Sequence, residues 1–261
     1  CPMVLRNAFF FAGVSSLERG LTIEDKTILN GPELDMQDYQ IYGRDGDVYY
    51  SNHRRSNLLV TYDTFLKVPN GWDIDGWTTT MKGWLLKEQE RYFRLEDTYD
   101  LSHYRMAAYS GGLDIDNGWK RFTRQTATFT CKPYRYLKTG DDMVRGSAAT
   151  SLTVYNPTSF DAKPLIQVTH GMSFASSAVL TISYEDGTQY EGDLSNLGQS
   201  DFAFVIDSEE QIIRNGNEQT SPELFAAELD FFPVLKPGEN TISISGSGLS
   251  TLGVWPKWRE L

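Results

Sequence analysis

The sequence predicts a mainly β protein of two domains, and three observations lead to this. Its apolar residues stand in short runs rich in β-branched and aromatic side chains that end at Gly, Pro, Asn or Asp, a pattern typical of strands. One stretch has helical spacing. A polar, glycine-bearing segment, 139–150, separates two β-rich halves. We interpret this segment as a linker between a domain at 1–138 and a domain at 151–261.

The first half contains a series of strand-like runs and one helix. The runs, in chain order, are 9–13, 15–23, 48–50, 58–62, 91–95, 104–109 and 126–131. Pro133 has no amide hydrogen, so the last run is expected to end there or to lie at a sheet edge. The polar and basic segment 51–57 is expected to be a long loop or a hairpin tip.

The helix is predicted at 75–88, with Asp75 as its N-cap. Its apolar positions have helical spacing: Trp77, Met81, Trp84 and Leu85. Two tryptophans on one stripe could form a sugar platform, but a helix that packs its apolar face on a sheet explains the stripe better.

The second half resembles a β-sandwich, because its strand-like runs are evenly spaced and no helix longer than a turn or two is predicted. The clearest hairpin joins 178–185 to 188–194 across Asp186-Gly187. The other runs are 151–155, 164–169, 202–206, 211–214, 231–235 and 240–245.

Charge is distributed unevenly along the chain. Residues 1–149 carry 19 Lys and Arg against 20 Asp and Glu, whereas residues 150–261 carry 5 against 15, within a net charge of −11. The acidic half would repel nucleic acid and anionic lipid surfaces, so we expect neither partner. No apolar run approaches eighteen residues, so no membrane insertion is expected. Cys131 lies in a strand-like run and is expected to be a small buried apolar residue.

The sequence predicts no catalytic, cofactor-binding or metal-binding residue. His53, His103 and His170 stand far apart in the sequence, and none belongs to a pair with metal-ligand spacing. The nearby carboxylates at 73/75, 114/116 and 141/142 are typical of turns or solvated charge. The segment 114–118 has the start of a calcium loop without its closing Glu.

Several short segments, taken in their order and spacing, resemble the distal tail (Dit) proteins of phages with long, non-contractile tails. The segments that carry this resemblance are 16–23, 41–47, 84–86, 129–134, 156–157, 164–168, 204–208, 232–240 and 255–259. They extend along almost the whole chain.

The resemblance implies a tail-tube-like β-barrel domain with one packed helix, followed by a galectin-like sandwich. It also implies a non-enzymatic hexameric hub ring at the distal end of the tail in the virion. The implied partners are other copies of this chain, the tail tube protein, the tail-tip protein and receptor-binding proteins. In such a ring the basic segment Asn52, His53, Arg54 and Arg55 is a candidate contact between subunits, although a solvated loop is an equal alternative.

Two other functions remain open at this point. One is a carbohydrate-binding protein for cell-wall saccharide, although no galectin sugar-binding signature is recognisable around Asn156-Pro157. The other is a glycan-degrading enzyme, which needs two carboxylates facing each other across a sugar.

Overall fold

The computed structural model describes residues 7–26, 31–112, 122–147, 151–170, 178–194, 203–215, 224–225, 232–246 and 249–261. The chain divides into two compact units, one of Cys1–Arg135 with Leu261 and one of Tyr136–Glu260. In these ranges no helix has the length and apolar character that crossing a membrane requires.

The first unit is built on one large antiparallel sheet. Its elements are β1 (Phe9–Phe11), β2 (Val14–Ser15), β3 (Leu21–Lys26), β4 (Leu34–Tyr39), β5 (Val48–Arg55), β6 (Leu58–Lys67), α1 (Ile74–Leu85), β7 (Phe93–Asp97), β8 (Asp100–Tyr109) and β9 (Phe122–Leu137). The sheet order is β2-β1-β7-β8-β9-β6-β3, whereas β4 and β5 pair only with each other in a separate two-stranded sheet. The predicted β-rich fold with one helix is confirmed.

The core of the first unit is an aromatic cluster centred on Phe129 in β9. This ring is fully buried and lies 5.0 to 5.9 Å, centroid to centroid, from four other rings: Phe9, Phe11, Tyr62 and Tyr109. Tilted and edge-on geometries predominate, as the quadrupoles of aromatic rings favour. Cys131, two residues further along β9, is also buried, as the sequence predicted.

Helix α1 packs its apolar face on this core. Trp77, Met81 and Leu85 are buried, and the indole of Trp77 donates to the carbonyl of Arg19 at 3.0 Å. The indole of Trp84 donates to the carbonyl of Phe11 at 3.0 Å. Both tryptophans therefore hold the helix to its own unit, which confirms the packing interpretation over a sugar platform.

The predicted N-cap was wrong by two residues. Asp73, in extended conformation, caps the helix by accepting a hydrogen bond from the amide of Gly76 at 3.1 Å. Asp75 lies within the first turn. Both aspartates suit a helix start, and the sequence alone could not separate a cap from a first-turn carboxylate.

Of the two alternatives predicted for Pro133, a strand end or a place at a sheet edge, the strand end is wrong, because β9 continues to Leu137. The ladder between β9 and β6 runs from Phe122 opposite Lys67 to Cys131 opposite Leu58. Pro133 lies beyond that ladder, so its missing amide hydrogen breaks no bond to β6.

The turn before β3 requires a glycine. The Ser16 carbonyl accepts from the amide of Leu21 at 2.8 Å, and the Gly20 carbonyl accepts from the amide of Lys67 at 2.8 Å. Gly20 has φ +80°, and a Cβ there would lie 2.1 Å from the Lys67 carbonyl oxygen. Only glycine combines this conformation with so close an approach.

The second unit is a two-layer β-sandwich. After a 3-10 turn at Lys138–Asp141, its strands are β10 (Val144–Ser147), β11 (Leu152–Asn156), β12 (Leu165–His170), β13 (Val179–Tyr184), β14 (Gln189–Asp193), β15 (Ala203–Asp207), β16 (Ile212–Asn215), β17 (Leu224–Phe225), β18 (Gly238–Ser245), β19 (Leu249–Trp255) and β20 (Arg259–Glu260). One sheet has the order β10-β19-β12-β15-β16-β17 and the other β11-β18-β13-β14.

Both sheets contribute alternate residues to a single core. Ile166 and Val254 come from the first sheet, and Ile182 and Ile242 from the second, all fully buried. The hairpin predicted across Asp186-Gly187 is confirmed as β13 and β14, with Ser183 opposite Gln189. Alternation of buried and exposed positions fixes this register.

Residues 139–150 are not simply the linker that the sequence predicted. Lys138–Asp141 forms the 3-10 turn, and β10 pairs with β19 from Val144 opposite Val254 to Ser147 opposite Thr251. The polar composition of β10 reflects its place at the edge of the sheet, where most of its residues are exposed.

The observed cap leads to a stability prediction. Replacing Asp73 by Ala removes the hydrogen bond to the Gly76 amide and is expected to lower the free energy of unfolding by about 1 kcal/mol. Asp75→Ala removes only a first-turn charge and is expected to cost less than about 0.5 kcal/mol. Urea unfolding followed by circular dichroism measures both. An equal or larger loss for Asp75→Ala would contradict the assignment of Asp73 as the cap.

Candidate functional site

The most exposed regular structure in the first unit is the hairpin of β4 and β5, called here the arm (residues 34–55). Every residue of β4 is exposed, and most of β5 is exposed or half-buried. The connecting turn contains Gly43 at φ +78° and Gly46 at φ +83°, and the amide of Arg44 donates to the Ile41 carbonyl at 3.1 Å. The Asp-Gly signal at 45–46 therefore marks the tip of the arm.

Large apolar and aromatic side chains cover the arm although nothing in the described chain buries them. Seven such residues are exposed by more than a third of their surface: Leu34, Met36, Tyr39, Ile41, Tyr42, Tyr49 and Tyr50. Soluble proteins rarely expose so dense an apolar group outside an interaction site.

Both faces of the arm carry these side chains. Met36 is opposite Ser51 and Asp38 is opposite Tyr49, which places Met36 and Tyr49 on one face. Tyr39 and Tyr50 lie on the other face by the same alternation. A two-stranded sheet without cover is only marginally stable in water. The arm therefore has the composition of an element that docks on another surface.

The four residues proposed from the sequence as subunit contacts lie at the base of the arm, not at its tip. Leu34 pairs with Arg55 and Met36 with Ser51, so residues 52–54 bulge out of the ladder. His53 has φ +59°, a left-handed conformation uncommon outside glycine. The predicted loop or tip at 51–57 is thus mostly strand, because the turn itself lies at 40–47.

Hydrogen bonds hold this bulge. The Asn52 side chain accepts from the amide of Arg54 at 2.9 Å and donates to a carboxylate oxygen of Asp35 at 2.9 Å. Arg55 is half-buried and its guanidinium donates to the Pro32 carbonyl at 3.4 Å. His53 and Arg54 are left with exposed side chains, so these two are the members of the group best able to meet a partner.

The sequence did not identify the apolar residues of the arm as functional. The one signal was their composition: residues 34–50 contain all seven of these apolar or aromatic side chains, interspersed with aspartates, without the buried face that a stable hairpin has.

The described ranges contain no cluster of side chains suited to binding a metal ion. No group of three or more His, Cys, Asp or Glu residues could hold a metal ion there. His103 Nδ1 donates to a carboxylate oxygen of Asp100 at 2.9 Å within its own unit, and His53 is exposed. The calcium-like segment 114–118 lies outside the described residues.

Asn156, around which no galectin sugar-binding signature is recognisable in the sequence, uses its side chain for hydrogen bonds within its own unit. It is buried, and its amide nitrogen donates to the carbonyls of Phe160 and Leu235 at 3.0 Å each. Its side-chain oxygen accepts from the amide of Thr158 at 2.9 Å and from the Thr158 hydroxyl at 2.8 Å. These bonds use the donors and acceptors of the side chain, so Asn156 offers none to a sugar.

Comparison with known proteins identifies the fold. No protein-family model and no curated protein sequence matches the chain. Among solved structures, the SPP1 Dit protein matches with a TM-score of 0.64 and 15% identity, over 98% of this chain and 99% of that chain. Its structure is described as a paradigm of the hub adsorption apparatus in phages that infect Gram-positive bacteria.

Two structures of the phage P2 baseplate in its activated conformation also match, one with Ca and one with Sr. Each has a TM-score of 0.55 and 10% identity. The Ca structure matches over 96% of this chain and 98% of that chain, and the Sr structure over 97% and 98%. The resemblance to distal tail proteins is therefore confirmed for the fold along nearly the whole chain.

The internal role of Asn156 is testable. Asn156→Ala leaves the Thr158 amide without an acceptor, and we expect the free energy of unfolding to fall by about 2–4 kcal/mol. Tyr155→Ala, at the neighbouring exposed position, is expected to change it by less than about 1 kcal/mol. Urea unfolding of both variants decides this, and a loss below about 1 kcal/mol for Asn156→Ala would show that the buried bonds contribute little.

Proposed function

We propose that this protein is a structural component of a phage tail, a hub at the distal end of the tail tube. Six copies form a ring that joins the tube to the tail-tip protein and to the host-adsorption apparatus. The protein works by assembly and carries out no catalysis. In this proposal it resides in the virion and its first partner is another copy of itself.

The observation that carries the proposal is the arm. It presents apolar side chains on both faces, and an element of this kind needs a surface to cover it. In a cyclic ring every subunit offers two different faces, one of which receives what the other projects. An arm that extends from each copy onto the next satisfies both requirements.

The shared fold supports the same role. The match to the SPP1 Dit protein covers both units of this chain, so it is not the likeness of one common β domain. The matched P2 structures are of a phage baseplate. Function resides in sites rather than folds, and for this reason the arm, not the fold, is the centre of the proposal.

The uneven distribution of charged residues suggests a different role for each unit. We propose that 1–138 is the ring-forming domain and that 151–261, which carries nearly all of the net negative charge, is a galectin-like domain that receives other tail proteins. At the base of the arm, Arg54 supplies positive charge for a neighbouring subunit and His53 offers an exposed polar side chain beside it, and Asn52 and Arg55 hold them in place. Tail tube, tail-tip and receptor-binding proteins are the further partners.

The arm's role can be tested with tyrosine variants. In Tyr49→Ser/Tyr50→Ser, one exposed tyrosine is removed from each face of the arm, and we expect self-association to weaken at least tenfold because interface tyrosines contribute strongly to binding. Sedimentation velocity and negative-stain microscopy of the purified protein give the measurement, with six-fold rings expected for the unaltered chain.

Tyr155→Ser is the matched control. Tyr155 is 67% exposed, as Tyr49 is 68% and Tyr50 is 63% exposed, but it lies in the second unit, and its removal is expected to leave the rings intact. The proposal would be refuted if the unaltered protein stayed monomeric at about 50 μM and bound no tail tube protein. This concentration is far above the Kd values of specific oligomers.

A further inference from the structure

The first unit contains a cavity of about 350 Å³, a size within the range of small-ligand sites. Strands β3, β6, β7, β8 and β9 supply its walls. Its lining combines apolar side chains with an unusual number of charged ones: Lys26, Glu96, Asp97, Asp100, His103, Arg105 and Arg135.

The carboxylate of Asp97 is already fully engaged. Lys26 Nζ lies 2.6 Å from it, and the Tyr62 hydroxyl donates to it at 2.8 Å. The backbone amides of Tyr99 and Asp100 donate to its other oxygen. Burial, followed by the neighbouring Asp97 charge, raises the pKa of Tyr62 well above its ordinary value, so this hydroxyl remains a donor.

The other two carboxylates also have their own cations. Asp100 accepts from the guanidinium of Arg135 at 3.2 Å and is 2.9 Å from His103 Nδ1. Although partial burial acts to raise it, the pKa of Asp100 is held at about 2 by hydrogen bonds from His103 and Ser102. Glu96 is paired with Arg94 at 2.5 Å.

Arg105 is the cation that remains. Its Nη1 atom is buried and has no hydrogen-bond partner within the described ranges, and none of the ion pairs found there includes it. Burial lowers the pKa of this guanidinium and the nearby charge of Arg135 lowers it further, whereas the charge of Asp97, with which it forms no ion pair in the described ranges, acts in the opposite direction. Arg105 as a whole is half-buried, but its Nη1 atom without an acceptor is costly, since each unsatisfied buried donor loses its bonds to water.

The mouth of the cavity is apolar. Leu59 and Tyr99 line it and are about half exposed, while Leu58, Val60 and Leu95 line it as buried residues. A ligand that fills this space therefore meets apolar side chains at the mouth, paired charges inside, and the Nη1 atom of Arg105 without an acceptor.

We propose that this cavity binds a carboxylate attached to a compact apolar group, with the carboxylate on Arg105 and the apolar group between Leu59 and Tyr99. Arginine is the residue best shaped for a carboxylate, because its planar fork donates two parallel hydrogen bonds. The proposal is separate from ring formation and does not depend on it.

A single negative charge suits the site better than two. One carboxylate neutralises the one unmatched guanidinium, whereas a phosphate dianion would lie close to Asp97, Asp100 and Glu96, whose charges oppose it. The required group is found both in small free acids and at the C-terminus of a polypeptide chain that ends in an apolar residue.

Isothermal titration calorimetry with three probes tests the proposal on the full chain. The probes are 4-methylpentanoate, acetyl-Ala-Ala-Leu with a free carboxylate, and the same peptide as its C-terminal amide. We expect at least one of the two acids to bind, and the amide to bind at least tenfold more weakly than the free peptide or not at all. Preference for 4-methylpentanoate would identify a small acid as the ligand, and preference for the peptide a chain terminus.

Variants locate the binding. Arg105→Met is expected to weaken binding of the better acid at least tenfold, whereas Arg91→Met, at an exposed arginine of the same unit, is expected to leave it unchanged. If Arg105→Met does not fold, Leu59→Glu places a negative charge at the mouth and is expected to weaken binding tenfold. Leu101→Glu, at an exposed position that does not line the cavity, serves as its control.

The proposal is overturned if neither acid binds when it is present at about 10 mM, a concentration well above the Kd expected for a specific small ligand. It is also overturned if the amide binds as well as the acid, or if the cavity variants bind like their controls.

Discussion

The ring of Phe129 is the contact on which the first unit depends. Four aromatic side chains from three other strands meet it, so strands distant in sequence share one buried centre. The ten-residue ladder between β9 and β6 fixes where this ring lies. The alternation of β9, with Ala127, Phe129 and Cys131 buried, follows from that pairing, because a shift of one residue would turn all three outward.

The arm is built on the opposite principle. Its strands pair only with each other, and its apolar side chains have no buried centre to reach. The bonds that shape it are local ones, between Asn52 and Asp35 or between Arg55 and Pro32. The first unit buries the aromatic cluster around Phe129 but leaves the dense apolar group of the arm exposed, and the proposed assembly would give that group a physical reason.

The sequence was sufficient for elements whose pattern is decided locally. Alternation and the Asp-Gly turn located the β13–β14 hairpin, and helical spacing located α1 with its buried Trp77, Met81 and Leu85. The sequence did not predict the elements whose form depends on a strand distant in the chain. The extension of β9 past Pro133 depends on where the β6 ladder ends, and β10 is a strand because β19 lies beside it. Composition at 51–57 resembles a loop, yet a bulge with His53 in a left-handed conformation accommodates the same residues within a strand.

The candidate sites show the same division. The basic residues at 52–55 were visible in the sequence as a charged run, but which of them face outward depends on the bonds of Asn52 and Arg55. Arg105 carried no signal, since an arginine in a strand pattern is ordinarily solvated. Its environment arises because Asp97, Asp100 and Glu96 each pair with a different cation. These pairs involve four strands, and the spacing of residues in the sequence does not predict them. Opposite charges that pair with each other offset the free-energy cost of removing them from water. The Nη1 atom of Arg105 has no such partner in the described part of the chain, so a ligand that accepts its hydrogen bond would remove the cost of leaving this donor unsatisfied in the folded protein.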